Sequence, residues 1–372
     1  MTVIPNLNWL SDVNIFSVNR LPAHSDHLYY ETIEEAIILD PMKMRHDLNG
    51  NWKFNYAVNP ASRPEHFYRA DFDCSSWGNI SVPGHIQLQG YGKPQYVNTM
   101  YPWDGHNEIR PPEIPSDHNP VGSYVKTFNL PENMKAKPVY ISFQGVESAF
   151  FVWLNGQFVG YSEDSFTPDE FDLTPYILEG KNKLAVEVYQ WSTGSWLEDQ
   201  DFWRFSGIFR DVYLYTVPEI HVYDLQVRTD LNSTFEKGKL ETNLKLASLV
   251  SIPSKITAEL VDPKGSLVDT KDGVYSNGQW TLSIPVDRPL LWSAEHPYLY
   301  KLYIQIYNEQ GNLVEVIPQK VGFRKFEMKD KIMHLNGHRI LFKGVNRHEF
   351  NCRSGRAITK DDMLFDIKTL KL

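Results

Sequence analysis

Cysteine is nearly missing from this chain. Its two residues, Cys74 and Cys352, stand far apart. They make neither a disulfide framework nor a zinc spacing, and they suit a reducing, cytoplasmic compartment. Long apolar runs are missing too: no stretch of about 18 such residues occurs, so no helix is expected to span a membrane. The first residues, "MTVIPNLNWLSDVNIFSVNR", lack a basic stretch followed by an apolar core, so they do not read as a secretory signal. Positive charge is the scarcer sign, with 37 Lys and Arg against 46 Asp and Glu, a net charge of −9. That balance argues against nucleic acid or an anionic membrane as partner.

What is present suits a folded β protein. Charged residues make up 22% and hydrophobic residues 42%, which supplies a core and excludes disorder. A length of 372 residues predicts two or three domains. Aromatics reach 13%, alongside 23 Pro and 22 Gly. That mixture predicts many short strands and turns, and it also suits sugar binding.

Residues 1–48 read as an arm: "NRLPAHSDH" is loop-like, and "YETIEEAIILD" forms at most a short helix. Alternation begins near Asn49 with "GNWKFNYAV". Residues 93–121 are long, polar and proline-rich, a kind of loop that is usually functional or tied down by packing. Then "GSYVKTFNL", "KPVYISFQGVESAFFVWLNGQFVGYSED" and "FDLTPYILEGKNKLAVEVYQWS" carry clear strand patterns. Asn155-Gly156 between apolar alternations predicts a type I′ hairpin. Many short antiparallel strands over 49–217 indicate a jelly-roll sandwich. After Pro218, about seven further strands with turns every 8–12 residues predict an immunoglobulin-like sandwich over 218–330.

From residue 331 the pattern changes again. Asn336-Gly337 predicts another hairpin. "RILFKGV" is a nearly continuous apolar run, expected to be a strand buried on both faces. Thr359 fits a helix N-cap with Asp362 three residues on, and Met363, Ile367 and Leu370 share one apolar face. Strand, loop and amphipathic helix make the opening βα unit of an α/β fold.

Several stretches then match one family. "GSWLEDQDFWRFSGIFRDVYLY" (194–215) resembles the signature of the large β-galactosidases of glycoside hydrolase family 2. "ILFKGVNRHEF" (340–350) is similar to the first strand of their catalytic barrel. "QYVNTMYP" (95–102), "VWLNGQFVGYSEDS" (152–165) and the "LPAHSDH" arm (21–27) also match, most closely the large-subunit type of Gram-positive bacteria. The resemblance implies a mainly β chain: a jelly-roll sugar-binding domain, an immunoglobulin-like sandwich, then the first unit of a truncated (β/α)8 barrel over 331–372. It implies hydrolysis of terminal β-D-galactosides such as lactose, with retention.

The resemblance also distributes roles. It gives Asn98 and His348 contacts to the sugar, and Asp201 a contact to the galactosyl group together with a sodium ion. It places the acid/base and nucleophile glutamates and the magnesium ligands on later barrel strands, outside residues 1–372. Magnesium and sodium are thus expected for the complete enzyme, and this chain is expected to be inactive alone. A complementing chain carrying the rest of the barrel and an oligomer are the partners it implies. The chain as a fragment, a split-enzyme piece or a truncated relic remain open readings, as does a non-catalytic carbohydrate-binding protein. Glucuronidase is disfavoured because "LEDQDFWRFSGIFRDV" is the galactosidase form.

Each singled-out group also has an ordinary reading. The acidic clusters Glu163/Asp164 and Glu198/Asp199/Asp201 occur in β loops, where carboxylates mostly build loop structure. Asp201 could pair with Arg204 or Arg210. Glu349 takes a supporting place beside His348, and Asn346 and Arg347 orient the strand end. Trp103, His106 and Trp196 suit loop anchoring at least as well as sugar stacking. His24 and His27 in "HSDH" lack a third ligand or a helix, so the sequence alone does not make them a metal site; the resemblance makes that arm structural, able to touch neighbouring subunits.

Overall fold

The computed structural model describes residues 4–198, 200–248 and 253–372. It divides into two compact units, one of residues 1–21, 45–216 and 347–372, the other of 22–44 and 217–346. The stretch 1–48 is therefore shared between the units, and so is 331–372.

The first unit is an antiparallel sandwich. Its larger sheet orders Ser17–Val18, Gln157–Ser162, Ala149–Leu154, Lys181–Tyr189, Val121–Asn129, Gly50–Ala57 and Gly78–Val82. Its smaller sheet orders Asp169–Asp172, Tyr140–Phe143, Val212–Tyr215 and Arg45–Asp47. The run "AFFVWL" shows why the larger sheet reads as continuously apolar. Phe150, Val152 and Leu154 face the core shared with Ile141, Phe143 and Leu214. Ala149, Phe151 and Trp153 face the other way, onto Leu10, Phe67 and Tyr161. Both faces are covered, so period-two alternation does not appear as apolar against polar. The hairpin between these strands turns at Asn155 (φ 51°) and Gly156 (φ 87°), as the type I′ reading requires. Gly160 lies where a Cβ would fall 2.3 Å from the Phe171 ring, so the close approach of backbone to ring needs glycine there.

The second unit contains two four-stranded antiparallel sheets. One orders Ile220–Leu231, Lys237–Ser248, Gln279–Asp287 and Val274–Ser276; the other orders Leu267–Asp272, Lys255–Val261, Tyr300–Tyr307 and Leu313–Val321. The stretch "SLVDTKDGVY" forms two strands: the chain crosses from one sheet to the other at Gly273. The helix Ile33–Ile38 is capped by Thr32 and packs Ala36 beside Tyr303 and Val316. A three-stranded ribbon of Phe326–Lys329, Ile332–Leu335 and His338–Arg339 follows, turning at Asn336 (φ 51°) and Gly337 (φ 79°).

The expected strand over "RILFKGV" does not form. Among residues 340–346 only Ile340 bonds to a strand, its N–H donating to the Met333 carbonyl at 3.0 Å, and Leu341, Phe342 and Val345 are exposed. A parallel strand is held only by neighbouring strands, and none is available to it among the described residues. The helix Lys360–Leu370 does form, with the full Thr359–Asp362 capping box. Local bonds suffice for it, yet Ile367 and Leu370 on its apolar face stay exposed.

Candidate functional site

The long loop carries one short strand, Gln95–Val97, which pairs antiparallel with Phe202–Arg204. Val97 lies opposite Phe202, and Tyr96 opposite Trp203. Asn98 follows Val97 and Asp201 precedes Phe202, so both lie just outside the same end of that ladder. The Tyr96 hydroxyl donates to Asp201 Oδ1, and that bond raises the phenol above its ordinary value. Arg204 Nη1 donates instead to the Glu198 carbonyl, and Arg210 Nη1 to the Phe166 carbonyl. Asn98 Oδ1 accepts from the Thr99 N–H at 2.7 Å, which leaves its amide NH2 directed elsewhere.

Aromatic packing holds this loop. Trp103 is fully buried, stacked on Tyr101 at 5.6 Å and edge-on to Trp196 at 4.7 Å and Trp191 at 5.7 Å. Trp196 Nε1 donates to the Glu113 carbonyl, and Gln95 Nε2 to the Pro102 carbonyl. Trp103 and Trp196 are therefore loop anchors, while His106 is exposed at a turn closed by its N–H to the Trp103 carbonyl.

The segment 347–372 reaches the same ribbon. The His348 ring lies 5.1 Å from the Phe202 ring, Phe350 meets Phe202 edge-on at 5.3 Å, and the Arg356 guanidinium lies 4.5 Å from its centre. Arg356 Nη1 donates to the buried Glu147 Oε1 at 2.5 Å, and the Arg356 N–H donates to His85 Nε2 at 3.0 Å. Burial raises the Glu147 carboxyl, against the opposing pull of Arg356. Burial and Arg356 together lower the His85 imidazole to about 3. Glu349 faces Arg210 at 3.4 Å, and Arg347 grips Asp366 through Nε and Nη2.

Of the sequence candidates, Asn98 and Asp201 adjoin the end of this ribbon, His348 rests on its Phe202, and all three are exposed. Glu163 and Asp164 do not join it. Glu163 accepts from Thr193, Tyr161 and the Gly194 N–H; Asp164 accepts from the Phe166 and Thr167 N–H groups. Glu198 accepts from Ser165, and burial raises it to about 7. Asp199 lies outside the described residues. Tyr96, Phe202 and the Arg356–Glu147 pair escaped the sequence reading; only the proximity of Tyr96 and Phe202 to Asn98 and Asp201 could have hinted at them.

An amide, a carboxylate and an imidazole on one rim can donate to and accept from a polyol. The exposed Asp201 carboxylate also offers a hard oxygen to a sodium ion, but a single such ligand is only part of a site. No cluster of three potential metal ligands surrounds it among the described residues.

Comparison with known proteins follows the same order along the chain. The sugar binding domain of glycosyl hydrolases family 2 matches residues 45–218, the central family 2 domain 220–324, and the family's TIM barrel domain 326–372. The chain is 67% identical over 98% of its length to a beta-galactosidase of Halalkalibacterium halodurans, and 55% identical over 99% to one of Clostridium acetobutylicum. It is 44% identical over 98% to a beta-galactosidase large subunit of Leuconostoc lactis. It spans 36%, 41% and 60% of those relatives' own lengths. Among solved structures, a beta-glycosidase from Bacteroides vulgatus superposes with a TM-score of 0.69 at 26% identity, covering 88% of this chain and 40% of that one. A Bacteroides uniformis beta-glucuronidase gives 0.71 at 24%, covering 88% and 38%, a likeness of fold alone.

Proposed function

The chain belongs to glycoside hydrolase family 2, and from that premise we propose that it forms the N-terminal part of a β-galactosidase, supplying sugar contacts but not the catalytic carboxylates. The complete enzyme hydrolyses terminal β-D-galactosides such as lactose, with retention. Retention needs a nucleophile and an acid/base carboxyl about 5–5.5 Å apart; both come from barrel strands outside residues 1–372.

The observation that carries this reading is the ribbon register. The ladder ends beside Asn98 on one strand and Asp201 on the other, and the His348 ring rests on Phe202, the residue next to Asp201, which supports a shared sugar site. Asp201 accepts a hydrogen bond from a galactosyl hydroxyl. Asn98 donates to one hydroxyl and accepts from another. His348 bonds a hydroxyl as charge develops at the anomeric carbon. Asp201 would be one ligand of a sodium ion, which would add a positive charge near the sugar; the family resemblance puts the magnesium ligands outside residues 1–372. The two free cysteines support a cytoplasmic setting. No described helix is long and apolar enough to cross a membrane. A chain carrying the remaining barrel is the partner this reading requires, and the large-subunit relatives support it.

Asp201→Asn, assayed in the assembled enzyme, tests the reading. Losing a charged acceptor costs about 1.5–3 kcal/mol, so kcat/KM should fall roughly 10- to 100-fold. Because Asp201 is exposed, the melting temperature should stay put. Unchanged kinetics would remove Asp201 from the site.

A further inference from the structure

The second unit holds a polar cluster that the sugar site does not use. His27, His221 and Glu315 bring one potential ligand atom each to within 4.8 Å of one another. They come from three separate segments. His221 lies on Ile220–Leu231 and Glu315 on Leu313–Val321, which are edge strands of the two facing sheets. His27 lies on the segment that runs beside them. The sequence offered only His24 and His27; the fold supplies the other two ligands.

All three groups are at least nine-tenths buried: His27 is 9% exposed, His221 6% and Glu315 0%. Glu315 Oε2 accepts from the Val222 N–H at 2.9 Å, and Oε1 faces His221 Nδ1 at 2.5 Å. The ring of His27 lies 5.8 Å from that of His221. Its Nδ1 faces the Ser25 hydroxyl at 2.9 Å, and that hydroxyl is fixed by the Leu225 N–H at 2.7 Å. Its Nε2 is buried with no hydrogen-bond partner. A His221–Glu315 ion pair accounts for two members of the cluster but leaves this nitrogen unexplained, and buried polar atoms are rarely left so.

We propose that His27, His221 and Glu315 bind one divalent transition-metal ion of the zinc class. Two imidazoles and a carboxylate are a recognised donor set for such an ion. Ser25 at His27 Nδ1 and the Val222 N–H at Glu315 are the outer partners that orient ligands around a metal. Burial and the neighbouring His221 lower His27 to about 4, so its ring is neutral and able to ligate at pH 7. Ligand atoms around a tetrahedral ion stand about 3.4 Å apart, so on binding the widest separation closes by roughly 1 Å while the 2.5 Å His221–Glu315 contact opens by about as much. For His221 to ligate through Nδ1, the hydrogen it directs at Glu315 must leave that nitrogen, to Nε2 or to solvent, as the ion enters.

The ion would act as a staple. The segment from Pro22 is already seated: the Tyr223 hydroxyl donates to the Pro22 carbonyl, and Tyr30 and Val316 exchange N–H···O bonds at 2.9 and 2.8 Å. Metal adds a cross-link between that segment and both sheet edges.

The test uses the 372-residue chain, stripped with chelator and titrated with Zn²⁺ or Co²⁺. One equivalent should bind at micromolar concentration and raise the thermal transition; Co²⁺ should show the intense visible bands of low coordination. His27→Gln should weaken binding by more than about tenfold, while His24→Gln should not. The wild-type titration stands even if His27→Gln misfolds. Absence of binding by the stripped wild-type chain would overturn the site, as would equal binding by wild type and a folded His27→Gln chain.

Discussion

The imidazole of His348 rests on the ring of Phe202, 5.1 Å between centroids and tilted by 35°. The contact joins two residues far apart in sequence and sets His348 on the residue that follows Asp201. Phe202 also receives Phe350 and the Arg356 guanidinium, so one side chain orients three groups of the segment 347–372.

Phe202 is therefore a positioning residue. Phe202→Leu keeps apolar bulk and the backbone ladder but removes the ring face. An aromatic contact contributes about 0.5–1.5 kcal/mol, so kcat/KM of the assembled enzyme should fall by up to about tenfold. Equal activity in the variant would show that His348 is held by other means.

Residues 340–346 should be the first site of proteolysis in the isolated chain. Leu341 is 68% exposed and Phe342 76%, and no ladder bond protects their backbone. Limited digestion followed by mass spectrometry should cut there well before the strands of either sandwich. Protection equal to that of Ala149–Leu154 would mean that the stretch is paired.

The docking of 351–359 should depend on one buried ion pair. Arg356→Met takes from buried Glu147 the guanidinium bonded to its Oε1, a loss of about 3 kcal/mol. Amide exchange at Asn351 and Gly355, which bond each other at 2.8 Å, should then quicken roughly 100-fold. Glu147→Gln, which keeps an acceptor for Arg356, should do less. Unchanged exchange in Arg356→Met would show that the segment is held elsewhere.

The sequence made legible whatever is decided locally. Asn155-Gly156 and Asn336-Gly337 specify their turns because both residues of each pair take positive φ. Thr359 and Asp362 start their helix by reciprocal bonds within one turn. Candidate residues Asn98 and Asp201 were found from the resemblance; what was invisible is the three-residue ladder that ends beside both of them. "RILFKGV" misled because its apolar pattern specifies a strand only if other strands pair with it. The His27 cluster and the Arg356–Glu147 pair were hidden because each joins segments far apart in the chain.

Acid should weaken the fold through His85. Its folded value is about 3, set by burial and by Arg356, against an ordinary value near 6.5. As pH falls from about 6.5, the unfolded chain takes a proton that the folded chain refuses, so stability is lost toward pH 3. Between pH 7 and 5 this one group contributes on the order of 2 kcal/mol. Urea unfolding at the two pH values should show a smaller loss in His85→Gln than in wild type. Identical losses would place the pH sensitivity elsewhere.

The most direct measurement is complementation. Residues 1–372 and a separately produced chain carrying the remaining barrel are assayed on a chromogenic β-galactoside, apart and together. The account predicts no hydrolysis by 1–372, and activity on mixing or co-expression that Asp201→Asn diminishes. Hydrolysis by pure 1–372 alone would contradict it.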